Sequence, residues 1–327
     1  MTNFIFVFLF GFVLCAGLTP LVIILSRRLK FGQNILHYVE SHTAKQGTPT
    51  MGGIAFVLST VLASLFFINT NYSFGFLILA LGLGFGVLGF LDDFIKIRFK
   101  RNMGLRAYQK IIGQASLAII AALFVYLNPN IENSVILPFS NTSIELGFFV
   151  VPLIVFVFLA LTNSVNLTDG LDGLASGVSL MYLLGFAFIT YFYIGTGLTH
   201  TMNSDVILIS LALVGSLFAF LMFNCYPAKI FMGDTGSLAI GAFLASLACF
   251  NGMMLYVPIL GFMFVLSSIS VIIQVLHFKR TKRRVFLMTP LHHHFEKKGV
   301  HESRIVAIYI VITAVIALFC LLLLGGI

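Results

Sequence analysis

The chain has 327 residues, of which 59% are apolar and only 9% charged, against roughly 25% charge in a soluble domain. Mean hydropathy is +1.06 and net charge +8. That balance leaves too few polar residues to cover a water-facing surface, so a soluble enzyme or binding module is excluded and an all-α polytopic membrane protein is expected.

Taken in chain order, apolar runs predict ten transmembrane helices, at roughly 4–25, 52–69, 74–91, 111–127, 147–164, 174–195, 205–223, 237–251, 254–277 and 304–325. The first run lacks the basic start of a secretory signal and is long enough to span, so it is expected to be retained. Cys15 follows the bulky Leu14 and is not expected to be lipidated. The four cysteines are scattered, with no C-x-x-C pair, and read as ordinary apolar-environment residues. No boundary suggests a second domain, so residues 1–327 form one integral membrane unit.

Charge predicts the orientation. All 19 Lys and Arg fall in alternate connections, 27–51, 92–110, 165–173, 224–236 and 278–304. By the positive-inside rule these face the cytoplasm and both termini face the exterior. The exterior connections are short and bland; residues 135–146 read as a small hairpin.

The cytoplasmic connections carry the chemistry. The first ends in His42-Thr-Ala-Lys-Gln-Gly-Thr-Pro-Thr-Met-Gly-Gly53, where Thr48 or Thr50 can cap the next helix and Lys45 can face an anion. The second follows a glycine-rich helix whose Gly82 and Gly86 permit close approach of a neighbour. It holds Asp92 and Asp93, about 100° apart on a helix, with Lys96 one turn away from both. The third carries Asn163, Asn166, Asp169 and Asp172 at spacings of three, with Gly170 and Gly173 allowing a sharp turn. Acids so close to a membrane span are costly, which makes this stretch functional by default.

The fourth, Asn224 to Ser237, places Asp234 just before a helix, where a carboxylate and small residues suit Mg²⁺ and phosphate together. Lys229 and Phe231 precede it, and Phe231 can stack on a base. The fifth contains the basic run Lys279–Arg284, suited to anionic lipid headgroups, and then His292, His293 and His294. Adjacent histidines rarely converge on one zinc ion; pyrophosphate donors or proton carriers fit them better. Hard oxygen ligands and cationic donors on one face suit phosphoryl transfer between a soluble nucleotide and a lipid. No P-loop pattern is present.

Leu91-Asp-Asp-Phe-Ile-Lys96, Asn166-Leu-Thr-Asp-Gly-Leu-Asp-Gly-Leu-Ala175, Phe231-Met-Gly-Asp-Thr-Gly-Ser237 and Met288-Thr-Pro-Leu-His-His-His-Phe-Glu296 together resemble the phospho-N-acetylmuramoyl-pentapeptide-transferase family, over essentially the whole chain. The resemblance implies transfer of phospho-MurNAc-pentapeptide from UDP-MurNAc-pentapeptide to undecaprenyl phosphate, with Mg²⁺, giving lipid I and UMP for peptidoglycan synthesis. It implies a homodimer in the bacterial cytoplasmic membrane and no nucleic-acid partner. By motif position, Asp234 would bind Mg²⁺, and Asp92, Asp93 and His292–His294 would serve catalysis, with Asp92 deprotonating the lipid phosphate. Lys45, Thr50, Lys96, Asn163, Asn166, Asp169, Gly170, Leu171, Asp172, Asn224 and Phe231 would bind substrate, with Phe231 stacking on uracil. Two rivals remain at this point: a sibling transferase using UDP-N-acetylglucosamine, and an ion transporter, whose acids would be expected nearer the midplane.

Overall fold

A computed structural model of the protein describes residues 2–29, 47–68, 73–99, 104–129, 131–140, 142–196 and 203–325. Lys45 lies outside the described residues. Twelve helices are described: α1 (Thr2–Arg28), α2 (Gly53–Leu65), α3 (Ser73–Arg98), α4 (Ala107–Leu127), α5 (Val150–Thr168), α6 (Leu174–Thr196), α7 (Asn203–Asn224), α8 (Gly233–Phe250), α9 (Tyr256–Leu260), α10 (Phe262–Thr281), α11 (Leu291–Lys297) and α12 (Glu302–Leu324). Among the described residues nine are long and apolar enough to cross a membrane; α2 is shorter. The protein is therefore an all-α polytopic membrane protein.

The ten expected spans correspond to these nine helices and α2, with instructive differences. The run at 254–277 is two helices, because Gly261 leaves helical geometry (φ −85°, ψ 20°) and caps α9 while starting α10. A one-residue break is invisible in an unbroken apolar run. The span predicted at 74–91 continues to Arg98, so Asp92 and Asp93 lie inside a helix and are buried. The span predicted at 237–251 begins at Gly233, which places Asp234 in the first turn of α8 rather than before it.

α8 is the axis of the bundle: every residue from Thr235 to Phe250 is buried, and α2, α3 and α5 pack around it. A helix enclosed by protein needs neither length nor interfacial anchors. The lipid-exposed stripes lie on the outer helices, as at Ile119 and Ile120 of α4, Ile272 and Leu276 of α10, and Val311 and Leu318 of α12. The predicted hairpin is present: β1 (Ser134–Ile136) pairs antiparallel with β2 (Ser143–Glu145). It caps one end of the bundle, where Ile136 donates its N–H to the Gly252 carbonyl (2.8 Å) and Phe139 donates its N–H to the Tyr256 hydroxyl (3.0 Å). The functional residues gather at the other end.

Candidate active site

The site begins with glycine. A Cβ at Gly82 would run into the Phe243 ring, and one at Gly89 would run into the Asp234 carbonyl and lie 2.6 Å from Thr235 N. Gly82 and Gly89 therefore let α8 close against α3; of the expected Gly82/Gly86 pair only Gly82 makes the close approach, a Cβ at Gly86 meeting Ala239 Cβ at an ordinary 3.6 Å. That contact brings the Asp92–Asp93 turn of α3 beside the start of α8. A second close approach forms beside it. Phe231 donates its N–H to the Pro49 carbonyl (2.8 Å), and Gly52 and Gly53 donate theirs to the Phe231 and Met232 carbonyls (2.8 and 3.0 Å). The starts of α2 and α8 are thus zipped together. Neither Thr48 nor Thr50 caps α2; its N-cap is Gly52, without a side-chain bond, and Thr50 is buried next to Gly233.

One oxygen from each of Asp92, Asp93 and Asp234 lies within 4.8 Å of the others. The three carboxylates have different partners. Asp93 accepts from the backbone N–H groups of Asp234 (3.2 Å) and Thr235 (2.9 Å) and from the Thr235 hydroxyl (2.8 Å). It acts as an N-cap supplied by another helix, satisfying orphan donors at the start of α8. Asp92 accepts the Leu105 N–H (2.7 Å) and pairs with Lys96 (2.5 Å). Asp234 accepts from Asn166 Nδ2 on one oxygen (2.8 Å) and from the ammoniums of Lys96 (3.0 Å) and Lys110 (2.8 Å) on the other. Among the described residues three carboxylates face two ammoniums, a formal charge of −1. The donor set is all oxygen and the net charge of these groups is negative, so the cluster fits a hard divalent cation such as Mg²⁺ rather than a thiolate- or imidazole-seeking metal.

The structure separates the polar residues of α5. Asn166 bridges Asp234 and the Ser237 hydroxyl, both at 2.8 Å. Asn163, one turn back, instead donates to Gln114 Oε1 and to the Leu159 carbonyl, both at 2.8 Å. α5 ends at Thr168, so Asp169 and Asp172 do not continue the helical face; they belong to the turn into α6. Asp169 is partly buried; loss of water around its carboxyl, and then the charges of Asp234, Asp93 and Asp172, push it well above the usual carboxylate range. Asp172 accepts the Ala228 N–H (2.9 Å). Asn224 is buried and spends its amide internally, accepting from Ser176 (2.8 Å) and donating to the Ile230 carbonyl (3.0 Å). It braces the 225–232 turn. Phe231, at the end of that turn and three residues before Asp234, is partly exposed.

The histidine run forms α11, a helix where a loop was expected; the rings of His292 and His293 lie together, 4.4 Å between centroids, while His294 turns away from them. His292 is fully buried, and a Cβ at Gly170 would strike its Nε2 and lie 2.9 Å from that of His293. These two rings back the Asp169–Gly173 turn, with Leu171 buried within it. His293 Nδ1 lies 2.9 Å from Glu296. His294 Nδ1 accepts the Leu287 N–H (3.1 Å) and its ring meets Phe286 edge-on, so it folds its own segment.

Lys110 is the site residue that sequence reasoning counted only as a basic flank. A lysine in the first turn of a helix opposes the macrodipole, and that misfit was its available signal. Gln114 and Glu302, which accepts the Asp172 N–H at 2.5 Å, carried no motif, while Thr235 and Ser237 lay inside the Phe231–Ser237 motif without an assigned role.

Comparison with known proteins follows the same residues. The family model for Glycosyl transferase family 4 matches residues 73–252, and the phospho-N-acetylmuramoyl-pentapeptide-transferase signature 1 matches residues 45–57. The latter covers the segment zipped to α8. A phospho-N-acetylmuramoyl-pentapeptide-transferase of Thermoanaerobacter sp. (strain X514) is 46% identical over 310 residues, covering 94% of each chain. Its namesake from Clostridioides difficile (strain 630) is 39% identical over 318 residues, 97% of this chain and 96% of the relative. That from Clostridium botulinum (strain Eklund 17B / Type B) is 43% identical over 311 residues, 95% of this chain and 93% of the relative. With such identity along nearly its full length, and an acidic, lysine-braced cluster at one end of an apolar bundle, this chain belongs to the phospho-N-acetylmuramoyl-pentapeptide-transferase family.

Proposed function

We propose that the protein transfers phospho-MurNAc-pentapeptide from UDP-MurNAc-pentapeptide to undecaprenyl phosphate, forming lipid I and releasing UMP, as a homodimer in the bacterial cytoplasmic membrane with the charged end toward the cytoplasm. The observation that carries this reading is the Asp92–Asp93–Asp234 cluster with Lys96 and Lys110 on it, at one end of a lipid-exposed bundle. A lipid phosphate arriving along the bundle and a nucleotide arriving from water would meet at this end.

Asp234 would hold Mg²⁺, which when bound neutralises diphosphate charge and polarises the phosphoryl oxygens. Lys96 and Lys110 already bridge towards Asp234 and are placed to take phosphate oxygens as the nucleotide enters. In the reaction an oxygen of the lipid phosphate forms a bond to the sugar-bearing phosphorus. The bond from that phosphorus to the bridging oxygen breaks, and UMP leaves with the bridging oxygen. The lipid phosphate is anionic before it attacks, so the protein's task is to position it and spread charge. Asp92, paired with Lys96, takes up any remaining proton on the acceptor. Asp93 acts differently from its neighbour: it fixes the first turn of α8, and so the direction of Asp234. The Asp169–Gly173 and 225–232 turns, with Phe231, would receive the uridine half, and His292 and His293 support the first of these from behind.

The test is turnover by purified protein with undecaprenyl phosphate, Mg²⁺ and either UDP-MurNAc-pentapeptide or UDP-N-acetylglucosamine. Lipid-linked product with the first donor supports the reading. Turnover with the second alone replaces the substrate while leaving the reaction class intact.

A further inference from the structure

α12 is a lipid-facing helix for most of its length, with Val311, Val315 and Leu318 more than half exposed. Its first residues do something else. Glu302, the first residue of α12, is buried (8% exposed), and its carboxylate accepts the backbone N–H of Asp172 at 2.5 Å. An acid in the first turn ordinarily favours its own helix by complementing the dipole. Here the carboxylate also reaches across 130 residues of sequence to a peptide in the Asp169–Gly173 turn.

Asp172 is itself a bridge. Its N–H goes to Glu302, while its carboxylate accepts the Ala228 N–H (2.9 Å) in the 225–232 turn. One residue is therefore held on both its main-chain and side-chain sides, and the two turns are spaced by it. The start of α12 touches the second turn independently: the N-cap His301 meets the Tyr226 ring edge-on at 5.2 Å. A planar trans peptide fixes the carbonyl opposite its N–H. Glu302, by fixing the Asp172 N–H, thus sets the orientation of the whole Leu171–Asp172 peptide.

We propose that Glu302 is a positioning residue for the nucleotide half of the site, setting the Asp172 peptide and, through Asp172, the spacing of the Asp169–Gly173 and 225–232 turns. This rests on the reading that those two turns receive the uridine nucleotide. Removal of a charge-assisted hydrogen bond to a buried N–H leaves that N–H unsatisfied, and about tenfold or more in nucleotide affinity follows. The lipid phosphate, held at the Asp92–Lys96 side, is unaffected.

The experiment uses the full-length protein in detergent with Mg²⁺. UMP affinity is measured by calorimetry, and KM is measured separately for UDP-MurNAc-pentapeptide and undecaprenyl phosphate. Glu302→Ala is expected to weaken UMP and raise the donor KM about tenfold or more, with the lipid KM within twofold. Glu302→Gln keeps an acceptor oxygen and restores most of the donor affinity. Wild-type UMP affinity in Glu302→Ala, equal rises in both KM values, or equal impairment of the Ala and Gln variants would overturn the assignment. If Glu302→Ala does not purify folded, Glu302→Asp, whose shorter reach must also weaken UMP, decides the matter in the same way. Wild-type protein that binds no UMP sinks the nucleotide reading together with this inference; unchanged affinity in the variant sinks the inference alone.

Discussion

Substituting alanine for Gly89 tests whether the α3–α8 contact sets the position of Asp234. The new Cβ would lie 2.6 Å from Thr235 N, where ordinary contact begins near 3.4 Å, and would also strike the Asp234 carbonyl. These are backbone atoms of the helix that carries Asp234, so no rotamer change relieves them. The first turn of α8 must move by at least about 0.8 Å, the difference between 3.4 and 2.6 Å, and further to clear the nearer Asp234 carbonyl, or α3 must withdraw by as much. Overpacking of this kind costs about 1–3 kcal/mol. A displacement approaching 1 Å at a reacting centre costs on the order of a hundredfold in rate. Gly86→Ala is the internal control. It lies on the same helix and gains the same ~1 kcal/mol of helix propensity, but its Cβ meets Ala239 Cβ at 3.6 Å, an ordinary contact. UMP release at saturating substrate should fall about a hundredfold for Gly89→Ala and within threefold of wild type for Gly86→Ala. Melting temperatures in detergent show whether both variants are folded. A Gly89→Ala protein with a near-wild-type rate would refute the claim that α3 fixes Asp234 through its backbone.

Asp234→Ala removes the carboxylate shared by Asn166, Lys96 and Lys110 and should abolish transfer while the protein still inserts and folds; near-wild-type UMP release would contradict the metal assignment. Lys110→Met leaves Lys96, among the described residues, as the remaining ammonium on Asp234 and should lower the rate by at least about tenfold, as one charge-assisted hydrogen bond of about 1.5–3 kcal/mol is lost; an unchanged rate would return Lys110 to the basic flank. Asp169 gives a pH signature. Its carboxyl is raised in the folded protein, so stability is greatest when it is protonated and falls as pH rises from the ordinary carboxylate range towards the raised value. In chelator, Asp169→Asn should therefore melt a few degrees above wild type at pH 7 and converge with it near pH 4, by differential scanning fluorimetry; a pH-independent gap would contradict the desolvation account.

The residues that could be found in the sequence and those that could not differ in kind. Asp92, Asp93, Asp234 and Asp169 stand out because a carboxylate beside an apolar run is costly anywhere, whatever it touches. Their roles did not follow from that cost. Asp92 and Asp93 are adjacent in the chain, yet one binds a lysine and a loop N–H while the other caps α8 from outside. Asn163 and Asn166 are one turn apart, yet only the second reaches Asp234, the first being taken by Gln114. Three consecutive histidines look equivalent, but wound into α11 two of them back the Gly170 turn while His294 serves its own segment.

Composition alone determined the solvent of this protein, with 59% apolar and 9% charged residues, and unbroken apolar runs near 20 residues, the length that bilayer thickness sets for a helix, made its spans helices. The sequence also determined which residues were too expensive to be idle. Only the tertiary structure decided their partners, because the bonds that matter join residues far apart in the chain, 124 positions between Lys110 and Asp234, 130 between Asp172 and Glu302. Helical periodicity reports each helix's own faces and carries no record of what those faces meet. The meeting was set by glycines that let α3 and α8 touch, and by the Gly261 break that ends α9 and begins α10 within one apolar run.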